Sequence, residues 1–355
     1  TTEIYTLSLH DALPISFLKM SLPTGPLGCS AFCLRDGDDL WIARNLDVPF
    51  TEGFILSNPR GLRKKSVVQG DVSPARWISR WGSLTVNLLG LDFPMGGINE
   101  CGLVVEHLWM PGTAYPDRRT CDTLLEFEWI QFMLDTCASV DDVCAQTEYV
   151  AIPPDRVEMH FLLGDGKGNG TLLEFRDGRP LFYAGDTFQP SVVTNSWHDE
   201  SVQYLRAFAG FGGESAPSPD STESLDRFAR LACTIRNGGL REDLPIPQAA
   251  MRLLDTVADS TLLSAVFHPS AGSMAFKTSR NPDPRLLRIA DFDFSPVSPR
   301  MQLDIHATAD ALSPFNPQRM VSCMQAVLAV GGEFLNLDAY RHSMMARQLE
   351  GAVAM

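Results

Sequence analysis

A chain of 355 residues, 45% hydrophobic and 20% charged, is long enough to bury a large core and has the composition of an ordinary globular protein. Its formal net charge of −14 argues against nucleic acid or an anionic membrane surface as partner, and no apolar run approaches the ~18 residues of a transmembrane helix. The eight cysteines and seven histidines are scattered, with no CxxC pair and no zinc-type spacing, so no metal and no cofactor are expected, while disulfides and compartment stay open.

Residues 1–28 differ in character from the rest of the chain. Thr1–Ser16 has neither the basic start nor the apolar centre of a signal peptide, and it looks like translated adaptor sequence, a cloning or sequencing artefact. Met20–Gly28 reads as the remnant of a leader or propeptide. Leu27-Gly28-Cys29 also weakly resembles the end of a lipoprotein signal. Lipid on Cys29 would block its amine and thiol, so that reading excludes a nucleophilic cysteine.

The stretch Gly28-Cys-Ser-Ala-Phe32 opens an apolar run. An Arg-Asp-Gly-Asp-Asp turn comes next, and a second short strand at Leu40–Ala43 leads to Arg44 and Asp47. Two apolar runs around a Gly/Asp turn predict a β-hairpin, which returns Arg44 and Asp47 to the side of Cys29. With the preceding peptide removed, Cys29 would carry its own base, since an α-amine titrates near ~8 and a thiol near ~8.5. Arg44 would favour the thiolate and Asp47 would hold the amine and thiol in place. The alternative is a buried hairpin with Cys29 as a small hydrophobe and Arg44–Asp47 as a salt bridge. The residues alone leave both open.

Further along, Phe54–Ser57, Ser66–Val68, Ser83–Leu89 and Leu103–Leu108 read as strands, with Asn99 in turn chemistry between them. The pattern turns helical over Thr123–Tyr149, where Thr123 and Glu126 have capping-box spacing and Ser139 starts a second, shorter helix. Helices after a run of strands predict layers. Strands return at Met159–Leu163, Thr171–Phe175, Pro180–Ala184 and Ser191–Thr194. The glycine-rich 164–170 segment lacks phosphate-loop spacing and predicts a hairpin turn. Gly212–Ser224 reads as a flexible loop before a helix at Leu225–Asn237, which Gly238-Gly239 ends. Pro247 opens another helix. Strands at Leu262–Phe267 and Ser273–Lys277 come after it, then a Pro-containing loop and a helix at Val321–Val330. One domain is expected over 29–355, with an appendage from about 296.

Several stretches in collinear order carry a resemblance: Cys29-Ser-x-Phe, Ala43-Arg-Asn-Leu-Asp47, Ser57-Asn-Pro-Arg-Gly61, Gly96-Gly-Ile-Asn-Glu-Cys-Gly-Leu-Val-Val-Glu106, His160-Phe-Leu-Leu-Gly-Asp-Gly-Lys167, Val193-Thr-Asn195 and Asp226-Arg-Phe228. Over roughly residues 29–295 the chain resembles the choloylglycine hydrolase family, which includes bile salt hydrolases and penicillin V acylases. The resemblance implies an α+β fold, the four-layer αββα sandwich of N-terminal-nucleophile hydrolases, activated by cleavage between Gly28 and Cys29. It implies hydrolysis of linear C–N amide bonds by the Cys29 thiolate, with the α-amine shuttling the proton. Arg44 and Asp47 match the family's flanking arginine and aspartate. Asn195 matches the asparagine whose side-chain amide stabilises the oxyanion, and the backbone amide at Trp109 would complete that site. Arg227 matches a supporting arginine, with Arg230 as a competing candidate one helical turn on.

Bile salt hydrolases tend to carry asparagine at the position of Trp109, and penicillin V acylases an aromatic. Tryptophan offers a flat apolar wall, so the expected small-molecule partner is a penicillin V-like or other N-acyl amide with an apolar acyl group. The alternatives are a bile salt hydrolase, a non-catalytic binding protein that retains the leader, and acyl transfer in place of hydrolysis. Val48–Thr51, directly after Asp47, would wall the pocket. By resemblance the chain forms a homo-oligomer, commonly a tetramer. Its compartment is periplasmic or extracellular if a native leader has been lost, and cytoplasmic otherwise.

Overall fold

The computed structural model describes residues 28–117, 120–238, 244–308, 312–335 and 341–353. The expectations for residues 1–27 lie outside that set. Ser30–Asp36 and Asp39–Asp47 pair antiparallel around the two-residue turn Gly37-Asp38, where Gly37 takes φ +58°. A short turn with glycine at positive φ matches the twist of the flanking strands, which is why this Gly/Asp sequence makes a hairpin. The second strand is longer than Leu40–Ala43, so Arg44 and Asp47 are strand residues and not part of a following loop.

Among the described residues this hairpin lies within a six-stranded antiparallel sheet, in the order Val192–Val193, Ser30–Asp36, Asp39–Asp47, Thr261–His268, Ser273–Thr278, Arg285–Arg288. A nine-stranded antiparallel sheet faces it, in the order Arg179–Ala184, Gly170–Arg176, Met159–Gly164, Val104–Trp109, Pro94–Asn99, Ser83–Asn87, Phe54–Asn58, Met301–Asp304, Ser313–Pro314. Residues 164–170 form the hairpin turn between two of these strands, and Asp165 binds the turn's N–H groups. Period-2 alternation divides the six-stranded sheet's side chains between two cores. Ala31, Ile42, Ala265 and Phe267 point toward the nine-stranded sheet, while Phe32, Ala43 and Val266 pack under the helices Ser224–Arg236 and Ile246–Asp255. The helix Glu126–Thr136 covers the nine-stranded sheet, giving four layers: helix, sheet, sheet, helix. Cys29 falls in the layer between the sheets.

Two local expectations are corrected. Ser66–Val68 is irregular because the Glu128 carboxylate takes the Ser66 hydroxyl and the Val67 N–H, at 2.5 and 2.9 Å, where a neighbouring strand would. The ribbon there is Arg63–Lys65 with Arg76–Ile78. The first helix is not capped by Thr123 with Glu126. Thr123 lies in a two-residue parallel strand, and Glu126 is drawn into a buried pair with Arg156 Nε at 2.8 Å. The helix starts one residue after Leu125, whose N–H is bound by Glu128. Ser139 does cap the second helix, accepting from the Asp142 N–H. The segment 212–223 is an irregular loop tied down by Arg230, which donates to Ser218 O and Ser221 O. The C-terminal segment is built into the domain: Met301–Asp304 pairs with Phe54–Asn58, and Cys323, Met324 and Met344 join the core between the sheets.

Asn99 ends one central strand and holds the end of the first helix. Its Nδ2 donates to Leu134 O and Cys137 O, and its Oδ1 accepts the Cys101 and Leu103 N–H groups, all within 2.8–3.0 Å. Asn99→Ala should lower the unfolding free energy by about 2–4 kcal/mol, measured by urea denaturation, since four buried backbone groups lose their partner.

Candidate active site

The hairpin register sets Ala31 opposite Arg44 and Ser30 opposite Asn45, so Cys29 lies beside the last residues of the second strand. The six residues singled out from the sequence converge there. Cys29 is buried, and its Sγ stands 3.8 Å from Arg44 Nη2. Burial pushes the thiol up from its ordinary value, while Arg44 and then Arg227 draw it back.

Arg44 is itself buried. Its Nη1 donates to Met95 O at 3.0 Å and to Glu106 Oε2 at 2.5 Å, so the counter-charge comes from the nine-stranded sheet across the core. Burial holds Glu106 up at about 7 despite that partner. Gly96, with φ +153°, leaves the space this pair needs, because a Cβ at that position would stand on the Glu106 carboxylate.

Asp47 carries two unequal oxygens. Oδ1 accepts the Thr261 hydroxyl at 2.5 Å, and buried Oδ2 has no hydrogen-bond donor among the described residues. Gly28 lies directly against it: a Cβ built on Gly28 would be 3.8 Å from Asp47 Oδ2 and 3.5 Å from Arg227 Nη2. Burial raises the Asp47 carboxyl to about 7, with Thr261, Arg227 and Arg44 opposing. An amino group created at Cys29 by loss of Gly28 would have this acceptor beside it.

Arg227 answers the ambiguity with Arg230. Its Nη1 donates to Cys29 O and Ser30 Oγ, both at 2.6 Å, its Nη2 to Asn195 Oδ1 at 2.8 Å, and its Nε to Thr222 O. Arg230 points the other way, into carbonyls of the 212–223 loop and to Thr256 O. With its oxygen on Arg227, the Asn195 amide must present its nitrogen to the opposite side, and Nδ2 donates to Trp109 O at 2.6 Å. The Asn195 N–H is fixed on Ser224 Oγ at 2.9 Å. Trp109 ends its strand half-buried, with its ring packed at the edge of the core.

Glu106, Thr261 and Ser224 were not evident as site residues. Glu106 closes the Gly96–Glu106 stretch, and its signal is an acid after two valines within a strand; Thr261 and Ser224 give none. The assembled site joins a thiol, two guanidiniums, a carboxylate and a side-chain amide in one connected cluster that includes Cys29. That set can activate a sulfur nucleophile and hold an oxyanion.

The raised Asp47 and Glu106 values fix a sign. Between an ordinary carboxyl near 4 and about 7 the folded chain binds more protons than the unfolded chain, so these groups lower stability as pH rises through that window. In a chain that keeps Gly28, Asp47→Asn should therefore reduce the loss of urea midpoint between pH 5 and pH 7.5, leaving the Glu106 contribution.

Comparison with known proteins agrees with this geometry. Residues 29–239 match the family model of linear amide C–N hydrolases, choloylglycine hydrolase family. The chain is 27% identical over 231 residues to the penicillin V acylase of Pectobacterium atrosepticum, a match covering 59% of this chain and 60% of that protein. The penicillin V acylase of Agrobacterium tumefaciens superposes with a TM-score of 0.68 at 21% identity, over 81% of this chain and 98% of that one. A mutant of the conjugated bile acid hydrolase of Clostridium perfringens superposes at 0.62 with 16% identity, over 81% and 96%. At those identities the superpositions speak for the fold alone, which this chain shares with both proteins. A matching family model over more than half of the chain goes further: the chain belongs to the choloylglycine hydrolase family of linear amide C–N hydrolases.

Proposed function

We propose that this chain is a cysteine N-terminal-nucleophile hydrolase of linear amides that carry an apolar acyl group, of the penicillin V type. The observation that carries the proposal is the donor-free Asp47 Oδ2 lying against Gly28, next to the Cys29 thiol. A buried carboxylate oxygen without a donor is costly, and the N–H of a Cys29 α-amino group freed by cleavage would supply one.

In this reading the freed α-amine takes the thiol proton, and Arg44 stabilises the thiolate it leaves. Sulfur attacks the amide carbon. Negative charge gathers on the carbonyl oxygen, where Asn195 Nδ2 donates, held in orientation by Arg227. The protonated amine passes its proton to the leaving nitrogen as the C–N bond breaks, giving a thioester and the free amine. Water, deprotonated by the same amine, then releases the acid. Trp109, with buried Val48 and Phe50 of the loop after Asp47, supports an apolar acyl site.

The test begins with a chain starting at Cys29, confirmed by intact mass. It should release 6-aminopenicillanic acid from penicillin V with a higher kcat/KM than it releases glycine or taurine from conjugated bile acids. The reverse order would reassign the acyl site to bile acids. Cys29→Ala should lower kcat by at least about a thousandfold. Activity that survives this change, or no turnover of any amide by the mature chain, would sink the proposal. Arg227→Ala should lower kcat/KM by about a hundredfold through loss of the Asn195 orientation. Arg230→Ala should stay within about threefold of the parent, because it holds the 212–223 loop and Thr256 O and none of the residues around Cys29.

A further inference from the structure

We propose that Glu174, a residue of the nine-stranded sheet, is a positioning residue that sets the turn carrying Asn195 by holding the backbone of His198. The inference rests on the hydrolase reading for what Asn195 does.

Glu174 sits in the strand Gly170–Arg176, fully buried. It shares a face with Gly170, which stands against Cys33, so its carboxyl enters the layer between the sheets. An acid there is expensive unless something uses it. Its Oε1 accepts the His198 N–H at 2.9 Å. His198 is the first residue of the helix His198–Leu205, whose N-terminus favours a negative charge, and Asn195 lies three residues before it. The His198 ring is enclosed by Tyr183, Phe188 and Phe228, and buried His160 has Nδ1 3.5 Å from the same Glu174 oxygen. The carboxylate therefore has no route of retreat to solvent.

The turn is gripped from two sides. On the helix side, Ser224 Oγ accepts the Asn195 N–H and meets Ser196 Oγ at 2.7 Å, while Arg227 holds the Asn195 side chain. On the sheet side, Arg176 pairs with Asp199 through two bonds of 2.7 Å and lies over the Trp197 ring at 4.2 Å. That second pair is substantially exposed, with 30% and 51% of the two side chains accessible, so it contributes little on its own. Asn195 Nδ2 also reaches the sheet, at Trp109 O, through a partly buried bond of 2.6 Å, and Glu174 adds a fully buried hold on the backbone at the far end of the turn, so the two together set the distance between the sheet and the Asn195 turn. A displacement of about 1 Å in a group that must meet the reacting atoms costs on the order of a hundredfold in rate.

The experiment compares Glu174→Gln, Glu174→Asp and Glu174→Ala in the mature enzyme, measuring kcat, KM and deuterium exchange over residues 194–199. Glu174→Gln keeps an oxygen acceptor for His198 and should stay within about threefold of the parent in kcat. Glu174→Asp, which cannot reach, and Glu174→Ala should lower kcat by about 10- to 100-fold with KM within about threefold, and should accelerate exchange over 196–199. Asn99→Ala, a comparable loss of buried hydrogen bonds serving the helix Glu126–Thr136, should leave kcat at the parent value. The inference is overturned if Glu174→Asp and Glu174→Ala keep kcat within twofold, lose no more than Asn99→Ala, or leave the exchange unchanged. Should Glu174→Ala fail to fold, Glu174→Asp decides. If the parent hydrolyses no amide, the hydrolase reading falls by itself, and exchange over 196–199 alone decides whether Glu174 holds the turn.

Discussion

A guanidinium buried to 2% exposure has to find acceptors for its donors, and at Arg227 those acceptors come from three distant parts of the chain. The Cys29 carbonyl and Ser30 hydroxyl begin the hairpin, the Asn195 oxygen lies on a turn, and Thr222 belongs to the loop before the arginine's own helix. The penalty for stranding that charge makes the three elements meet at one spacing. The strand that follows Cys29, the Asn195 turn and the outer helix layer are thus one mechanical unit. The rest of the site is arranged around it.

Electrostatically the site couples a pair of arginines and a pair of acids in the neighbourhood of one sulfur. Arg44 is compensated across the core by Glu106, and Arg227 stands beside Asp47. Each acid is nevertheless lifted to about 7, because loss of water outweighs the neighbouring positive charge. The same loss of water raises the Cys29 thiol, and the arginines oppose it. The site is dry enough for charges to act strongly on one another and for small changes in protonation to matter.

What could be read in the sequence was local or periodic. The Gly/Asp turn located the hairpin, and alternation located the strands that face both cores. Ser139 signalled its helix start because its partner is three residues away. Longer contacts carried no such signal. Arg44 finds Glu106 62 residues on, and Asp47 finds Thr261 214 residues on, so only a folded sheet order reveals either partner. Glu126 misled for the same reason. Its spacing from Thr123 is that of a capping box, yet it is claimed by Arg156, 30 residues on. Choosing Arg227 over Arg230 likewise needed the structure, since the two stand one turn apart and differ only in what they reach.

Gly96 gives the opposite sheet a hold on the surroundings of Cys29 that involves no functional group. The volume a methyl would need there is filled by the carboxylate that neutralises Arg44. Adding the smallest possible side chain, itself uncharged and well away in sequence from Cys29, would evict a counter-ion and leave a buried cation alone beside the sulfur. At this position shape and charge are the same variable, and a steric change would be read by the thiol as an electrical one.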